Sequence, residues 1–287
     1  MNINKIVFSL IVLTILSFAI GGLILKSNIK TYEINEEKTL GMENITRLQI
    51  EIRGENVTVK TSDSEEIRAV LHGSVESHGS NFVKLLGDKT GQTIRIETRH
   101  PPRIFSLGER ENLYLDIYIP ENYEHEMVLN DAIGDAKIKD LKLKSFDFTT
   151  VSGDLSGDNI SAEMRLNSVS GDLNLGKSKG KVSAKTISGK INIEYVSFEN
   201  FVTAETVSGD VTLKLPEESC FDLNLETVSG KLNTDFSLQV NGAFKNSKEQ
   251  ITGFYCYAKN TTAAGRINVE TVSGNFRLIK SNLNQLV

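Results

Sequence analysis

The chain has 287 residues, 39% of them hydrophobic, 7% aromatic and none Trp, which is enough for one or two domains around a mostly aliphatic core. The formal charge is −5, and since the first 30 residues hold Lys5, Lys26 and Lys30 and no acid, the remainder carries −8. An acidic body argues against nucleic acid as a partner and against adsorption on anionic lipid, because both need basic surface.

Ile6 to Leu25 is an uncharged apolar run of 20 residues, long enough to cross the roughly 30 Å hydrocarbon layer as a helix. It exceeds the usual h-region of a cleaved leader. The reading is therefore an uncleaved transmembrane anchor over 1–30, with cleavage near Ala19-Ile20-Gly21 as the competing reading. Glu33, Glu36 and Glu37 follow it, and the expected topology is single-pass in the cell membrane with the C-terminal part extracytoplasmic. Residues 31–44 are polar and read as a stalk.

From Ile45 the pattern alternates. Leu48, Ile50 and Ile52, then Val57 and Val59, then Ile67, Ala69 and Leu71 each mark a half-buried strand, as do Ile94 and Ile96. His100-Pro101-Pro102 interrupts the pattern, and the stretch to Asn112 reads as a surface loop. Leu113, Leu115, Ile117 and Ile119 alternate up to Pro120. Residues 45–126 thus form an N-terminal β-strand region.

Over 127–287 one phrase recurs, Thr-Val-Ser-Gly-Asp-Leu and its variants. It is complete at Thr150-Val151-Ser152-Gly153-Asp154-Leu155, varied around Gly171, Gly189, Gly209, Gly230 and Gly274, and worn at Ala132-Ile133-Gly134-Asp135. The glycines from 134 to 230 are 19, 18, 18, 20 and 21 residues apart, and the last step, to 274, is 44. A short period kept over many copies marks a stack of coils. Within a coil the apolar parity switches. Val182 and Ala184 are even, whereas Ile187, Ile191, Ile193 and Tyr195 are odd. A strand cannot switch faces without a bend, so the phrase lies at a corner, where glycine allows a close backbone approach or a positive φ. The fold expected is all-β, a parallel β-solenoid or β-roll with coils of about 18–21 residues. Val151, Val169, Ile187, Val207, Val228 and Val272 are expected to stack as one buried aliphatic ladder.

Residues 235–262 break the register. Asn241-Gly242 is a candidate hairpin turn. Phe244, Phe254, Tyr255 and Tyr257 gather aromatics there, which either pack on the flank of the stack or form a binding surface. Cys220 and Cys256 read as separate thiols, since their strand neighbours lie far apart in sequence; a disulfide is the alternative in an oxidising compartment. The tail ending Leu283 to Val287 is expected to cap the open end.

The corner acids Asp154, Asp172 and Asp210, with Asp135, invite a calcium reading, but Lys190 and Lys231 occupy the same column. The column reads as a solvated edge that avoids stacking like charges. No metal and no cofactor is expected, and no base or nucleophile elbow marks a catalytic centre.

These residues resemble a known group. The apolar N-terminal run, the strand Tyr114 to Pro120 and the recurring Thr-Val-Ser-Gly-Asp are similar to the bacterial putative-adhesin family of β-strand-repeat proteins, the LiaG-like group, over roughly 45–279. The resemblance implies a cell-envelope protein, some relatives of which stand beside envelope-stress signalling systems, and it brings no catalytic residues. The expected function is a non-catalytic adhesin or interaction scaffold. Its partners would be the membrane through residues 6–25, an envelope protein or wall polymer, or a second copy. The alternative is a wall-polysaccharide-acting enzyme, which would need two carboxylates about 5–9.5 Å apart.

Overall fold

The computed structural model describes residues 13–14, 29–79, 82–101, 110–245, 248–257 and 265–281, with backbone alone at 240–245 and 248–249. The transmembrane anchor expected over 1–30 lies outside them apart from Leu13, Thr14 and residues 29–30, and so does the tail beyond 281. Among the described residues no helix is long and apolar enough to cross a membrane.

Among the described residues the body is all-β, with 21 strands whose pairings are mixed parallel and antiparallel. Each coil gives one strand to each of two ladders. In the middle of the stack β12 (Val182–Ser188) turns a corner into β13 (Ile191–Tyr195), and β14 (Phe201–Ser208) turns into β15 (Val211–Leu215). β12 pairs in parallel with β14, and β13 with β15. Two long strands, β9 (Ala136–Thr150) and β10 (Leu155–Ser168), run from one ladder into the other. The expected inward positions Val182, Ala184, Ile191, Ile193, Tyr195, Val202, Ala204, Val211, Leu213 and Leu215 are all buried between the ladders.

The same stack continues into the N-terminal region. β2 (Arg47–Glu51) pairs in parallel with β8 (Glu126–Asn130), and β3 (Asn56–Ser62) pairs in parallel with β9. The expected stalk is instead largely strand. β1 (Lys30–Gly41) lies antiparallel on β4 (Glu66–Ser77), and Ile34 enters the core. Its polar composition reflects an edge strand with most side chains toward solvent.

At the C-terminal end, chain order and stack order part. β16 (Cys220–Ser229) does not lie on β14. Between them sits β20 (Gly265–Ser273), parallel to both, and β21 (Phe276–Lys280) likewise separates β15 from β17 (Leu232–Thr234). The 44-residue step therefore does not add two coils in sequence. The chain overshoots one position, makes a hairpin and returns to fill the gap. That hairpin is β18 (Gln239–Lys245) and β19 (Lys248–Cys256), paired antiparallel out to Lys245 and Lys248, and Asn241-Gly242 lies within β18 rather than at its turn. β19 runs antiparallel to β16 with Cys220 opposite Cys256, and the two form a disulfide. The expectation of separate thiols fails because this antiparallel return brings together residues 36 apart in sequence.

Candidate functional site

The corner begins with a buried hydroxyl. Thr186 keeps the inward parity of Val182 and Ala184, and its hydroxyl donates to the carbonyl of Gly171 one coil back at 3.4 Å. The chain turns over the next four residues, and Ile191 points inward again. Ile187 and Ser188 therefore both face solvent. The expected buried ladder is thus overturned. Val151, Val169, Ile187, Val207, Val272 and Val228, in that spatial order, are each between 42% and 56% exposed. The parity switch falls after the threonine rather than at it, which turns the aliphatic column outward.

The glycine column makes this tight corner possible. A Cβ on Gly171 would overlap the carbonyl oxygen of Gly153, one on Gly189 that of Gly171, and one on Gly209 that of Gly189. The column continues through Gly274 to Gly230, and at its other end through Gly153 and Gly134 to the carbonyl of Glu55. None of these glycines has a positive φ, so the requirement is close approach alone.

The acids that follow four of these glycines, Asp135, Asp154, Asp172 and Asp210, are also committed. Asp154 Oδ1 accepts the backbone N–H of Asp172 at 2.8 Å, and Asp172 Oδ1 that of Lys190 at 2.7 Å. Asp210 Oδ1 accepts that of Asn275 at 2.9 Å, and Asn275 in turn that of Lys231 at 3.3 Å. The column lies along an exposed edge, and its acids and Asn275 also form a ladder that satisfies backbone donors. Among the described residues no group of three or more His, Cys, Asp or Glu could hold a metal ion.

The result is a ridge along one corner of the stack. Six aliphatic side chains sit about 4.8 Å apart beside a column of serines. A shallow groove borders it, lined by Lys185, Ile187, Glu205, Val207, Glu270 and Val272.

The ridge begins at a polar plug. Glu55 is buried, and its carboxylate accepts the N–H groups of Arg53 and Gly54 and the Thr98 hydroxyl. His100 Nε2 lies 2.9 Å from Glu55 and its Nδ1 3.4 Å from Glu111. The carboxylates of Glu111 and Glu55 push this imidazole up to about 9. Burial alone would raise the Glu55 carboxyl, but His100 and backbone N–H donors outweigh it and hold the group at about 2. Asp131, in the position that Thr150 holds one coil on, is pushed up to about 6 by burial.

The expected aromatic cluster is not brought together as one surface. Tyr255 packs on Phe221 and Phe236, and its hydroxyl donates to the carbonyl of Glu217 at 3.2 Å. Phe254 is half-buried on the opposite side of β19, in a groove with Asp222 and Arg266. Tyr257 is exposed at the end of the strand. Phe244 lies on β18, and its side chain is outside the described residues. Sequence reasoning missed the ridge because an apolar column in phase with a repeat reads as core. Two consecutive outward residues after a buried threonine are the signal that distinguishes it.

The geometry defines a class: an all-β stack of coils with a continuous aliphatic ridge on one corner. Over residues 45–279 the chain matches the Toastrack DUF4097 family and belongs to it. No curated protein matches it. Among solved structures, it is similar to one titled a putative cell adhesion protein from Clostridium sporogenes, at 12% identity over 87% of this chain and 100% of that one, TM-score 0.36. A structure titled a putative adhesin from Bacteroides fragilis has 9% identity over 86% and 97%, TM-score 0.44. One titled a putative lipid binding protein from Parabacteroides distasonis has 12% identity over 89% and 97%, TM-score 0.37.

Proposed function

We propose that the chain is a non-catalytic contact scaffold of the cell envelope, anchored by a single pass through residues 6–25, with its body outside the cytoplasm. The observation that carries this is the ridge. Isolated exposed aliphatic residues need no explanation, but a continuous column of six is the mark of a contact surface. The corner acids support a non-catalytic role, since they are engaged in accepting backbone N–H groups. The disulfide between Cys220 and Cys256 supports the extracytoplasmic placement, because such bonds persist in oxidising compartments. The contact would be with an envelope protein, a wall polymer or a second copy.

The test is a photo-crosslinking residue at Val207 in intact cells, with Lys137, exposed on another face, as the control position. The Val207 probe should capture an envelope component that the Lys137 probe does not. Turnover of purified wall glycan by the purified chain would replace this reading with that of a wall-acting enzyme.

A further inference from the structure

We infer that the ridge pairs with the ridge of a second copy of this chain, antiparallel, about a two-fold axis between Ile187 and Val207. The inference rests on reading the ridge as a contact surface and names what covers it. The argument is the order of charges beside the aliphatic column. On the strand side, two residues before each aliphatic residue, the spatial order is Thr149, Asn167, Lys185, Glu205, Glu270, Glu226. On the glycine side it is Asp154, Asp172, Lys190, Asp210, Asn275, Lys231.

Two identical ridges face to face must be related by a two-fold axis if the assembly is to close. Parallel ridges set each coil against itself with its sides exchanged, so that Lys185 meets Lys190 and Glu205 meets Asp210. That is like charge on like, which suppresses the pairing. Antiparallel ridges keep the sides matched and leave only the register open. An axis at the Ile187 coil opposes Lys185 to itself, and one at the Val207 coil opposes Glu205 to itself. An axis between Val169 and Ile187 opposes Asp154 to Asp210, and one between Val207 and Val272 opposes Glu205 to Glu270. Axes nearer either end face acid with acid, at Asp154, Asp172, Glu270 or Glu226.

The register centred between Ile187 and Val207 is the one that opposes no like charges. In it Lys185 meets Glu205, Lys190 meets Asp210, Asp154 meets Lys231, and Asp172 meets the amide of Asn275, each twice by symmetry. Val151 faces Val228, Val169 faces Val272, and Ile187 faces Val207, so the aliphatic column is covered from end to end. Lys185 and Glu205 already form an ion pair within one chain at 2.9 Å, and across the axis the two pairs would merge into a cluster of four alternating charges.

The test is sedimentation of the full chain in detergent micelles at about 10 µM, a concentration at which a micromolar dimer is largely associated. The wild-type chain should be dimeric. Lys185→Glu should weaken the dimer by roughly tenfold or more by opposing acid to acid, and the exchange Lys185→Glu with Glu205→Lys should restore it. A monomeric wild-type chain, a dimer indifferent to Lys185→Glu, or failure of the exchange to restore association would each overturn the inference. A monomeric chain whose Val207 probe still captures another envelope component overturns this inference alone. A dimer whose probe captures only a second copy upholds it and narrows the envelope reading to self-association.

Discussion

Asp172 Oδ1 accepts the backbone N–H of Lys190 at 2.7 Å, one coil further along the stack. The same contact joins Asp135 to Asp154 at 2.9 Å and Asp154 to Asp172 at 2.8 Å. Where an acid or Asn275 follows the corner glycine, its side-chain oxygen therefore satisfies a donor on the next coil of the stack, a role that the ammonium of Lys190 cannot play. Lys231 sits on the last parallel coil of this column and has no later coil to serve, whereas Lys190 interrupts the ladder in its interior. Asp172→Ala should lower the stability to denaturant unfolding by about 1–2 kcal/mol, whereas Asp172→Asn should stay within about 0.5 kcal/mol, because an amide oxygen still accepts. Equal losses from both variants would show that charge, not acceptance, is what matters at this corner.

Gly189 and Gly41 separate close approach from mere flexibility. A Cβ on Gly189 would overlap the carbonyl of Gly171, while one on Gly41 meets nothing within 4 Å. Gly189→Ala should cost roughly 2 kcal/mol or more, since backbone must move in two coils at once, and Gly41→Ala should be within about 0.5 kcal/mol of neutral. Thermal unfolding of the two variants side by side checks the contrast.

The late strands β20 and β21 occupy an interior slot of the stack, not its end. Removing residues 265–287 should therefore strip β16 and β17 of their parallel neighbours and expose the outer faces of β14 and β15. Hydrogen exchange should show lost protection in β14 to β17, with β9 to β12 retained, as expected for a fold whose stability is a sum over neighbouring repeats. Protection unchanged in β16 would contradict the stacking order.

The polar plug gives stability a defined pH dependence. His100 is raised from 6.5 to about 9, so its contribution is complete below pH 6.5 and is lost as the pH rises through 9. Glu55 is lowered from 4.5 to about 2, so its contribution is present above pH 4.5 and fades as the pH falls toward 2. Asp131 has the opposite sign for an acid. Raised from 3.8 to about 6, it favours the fold below pH 3.8, and that gain is lost as the pH rises through 6. The Tm of the wild-type chain should fall between pH 6.5 and 9, and His100→Gln should lower the Tm most below pH 6.5 and flatten that slope, so that the two curves converge as the pH passes 9.

Much of the fold was legible because the repeat carries its own physics. The alternation of Val182 and Ala184 with Ile191 and Ile193 fixed which faces are buried, and the spacing of Gly153, Gly171 and Gly189 fixed the stacking of coils. What the repeat does not encode is which copy lies beside which. Thr206-Val207-Ser208-Gly209, Thr227-Val228-Ser229-Gly230 and Thr271-Val272-Ser273-Gly274 are interchangeable as corners, so nothing local told the third to insert between the other two. The disulfide was hidden for the same reason, since its pairing depends on the antiparallel return of β19. The ridge was mistaken for core because Val207 obeys the parity of Val211 and Leu213 although a four-residue corner intervenes.

The central claim is that Thr186 faces inward and Ile187 outward at the same corner. Single cysteines at these two positions, in a chain whose native cysteines are joined to each other, measure this directly through the rate of reaction with a soluble thiol reagent. The account predicts that Ile187→Cys reacts at close to the rate of a free thiol and Thr186→Cys slower by roughly two orders of magnitude, limited by local opening. Protection at 187 with ready reaction at 186 would contradict it, returning the aliphatic column to the core and removing the contact surface.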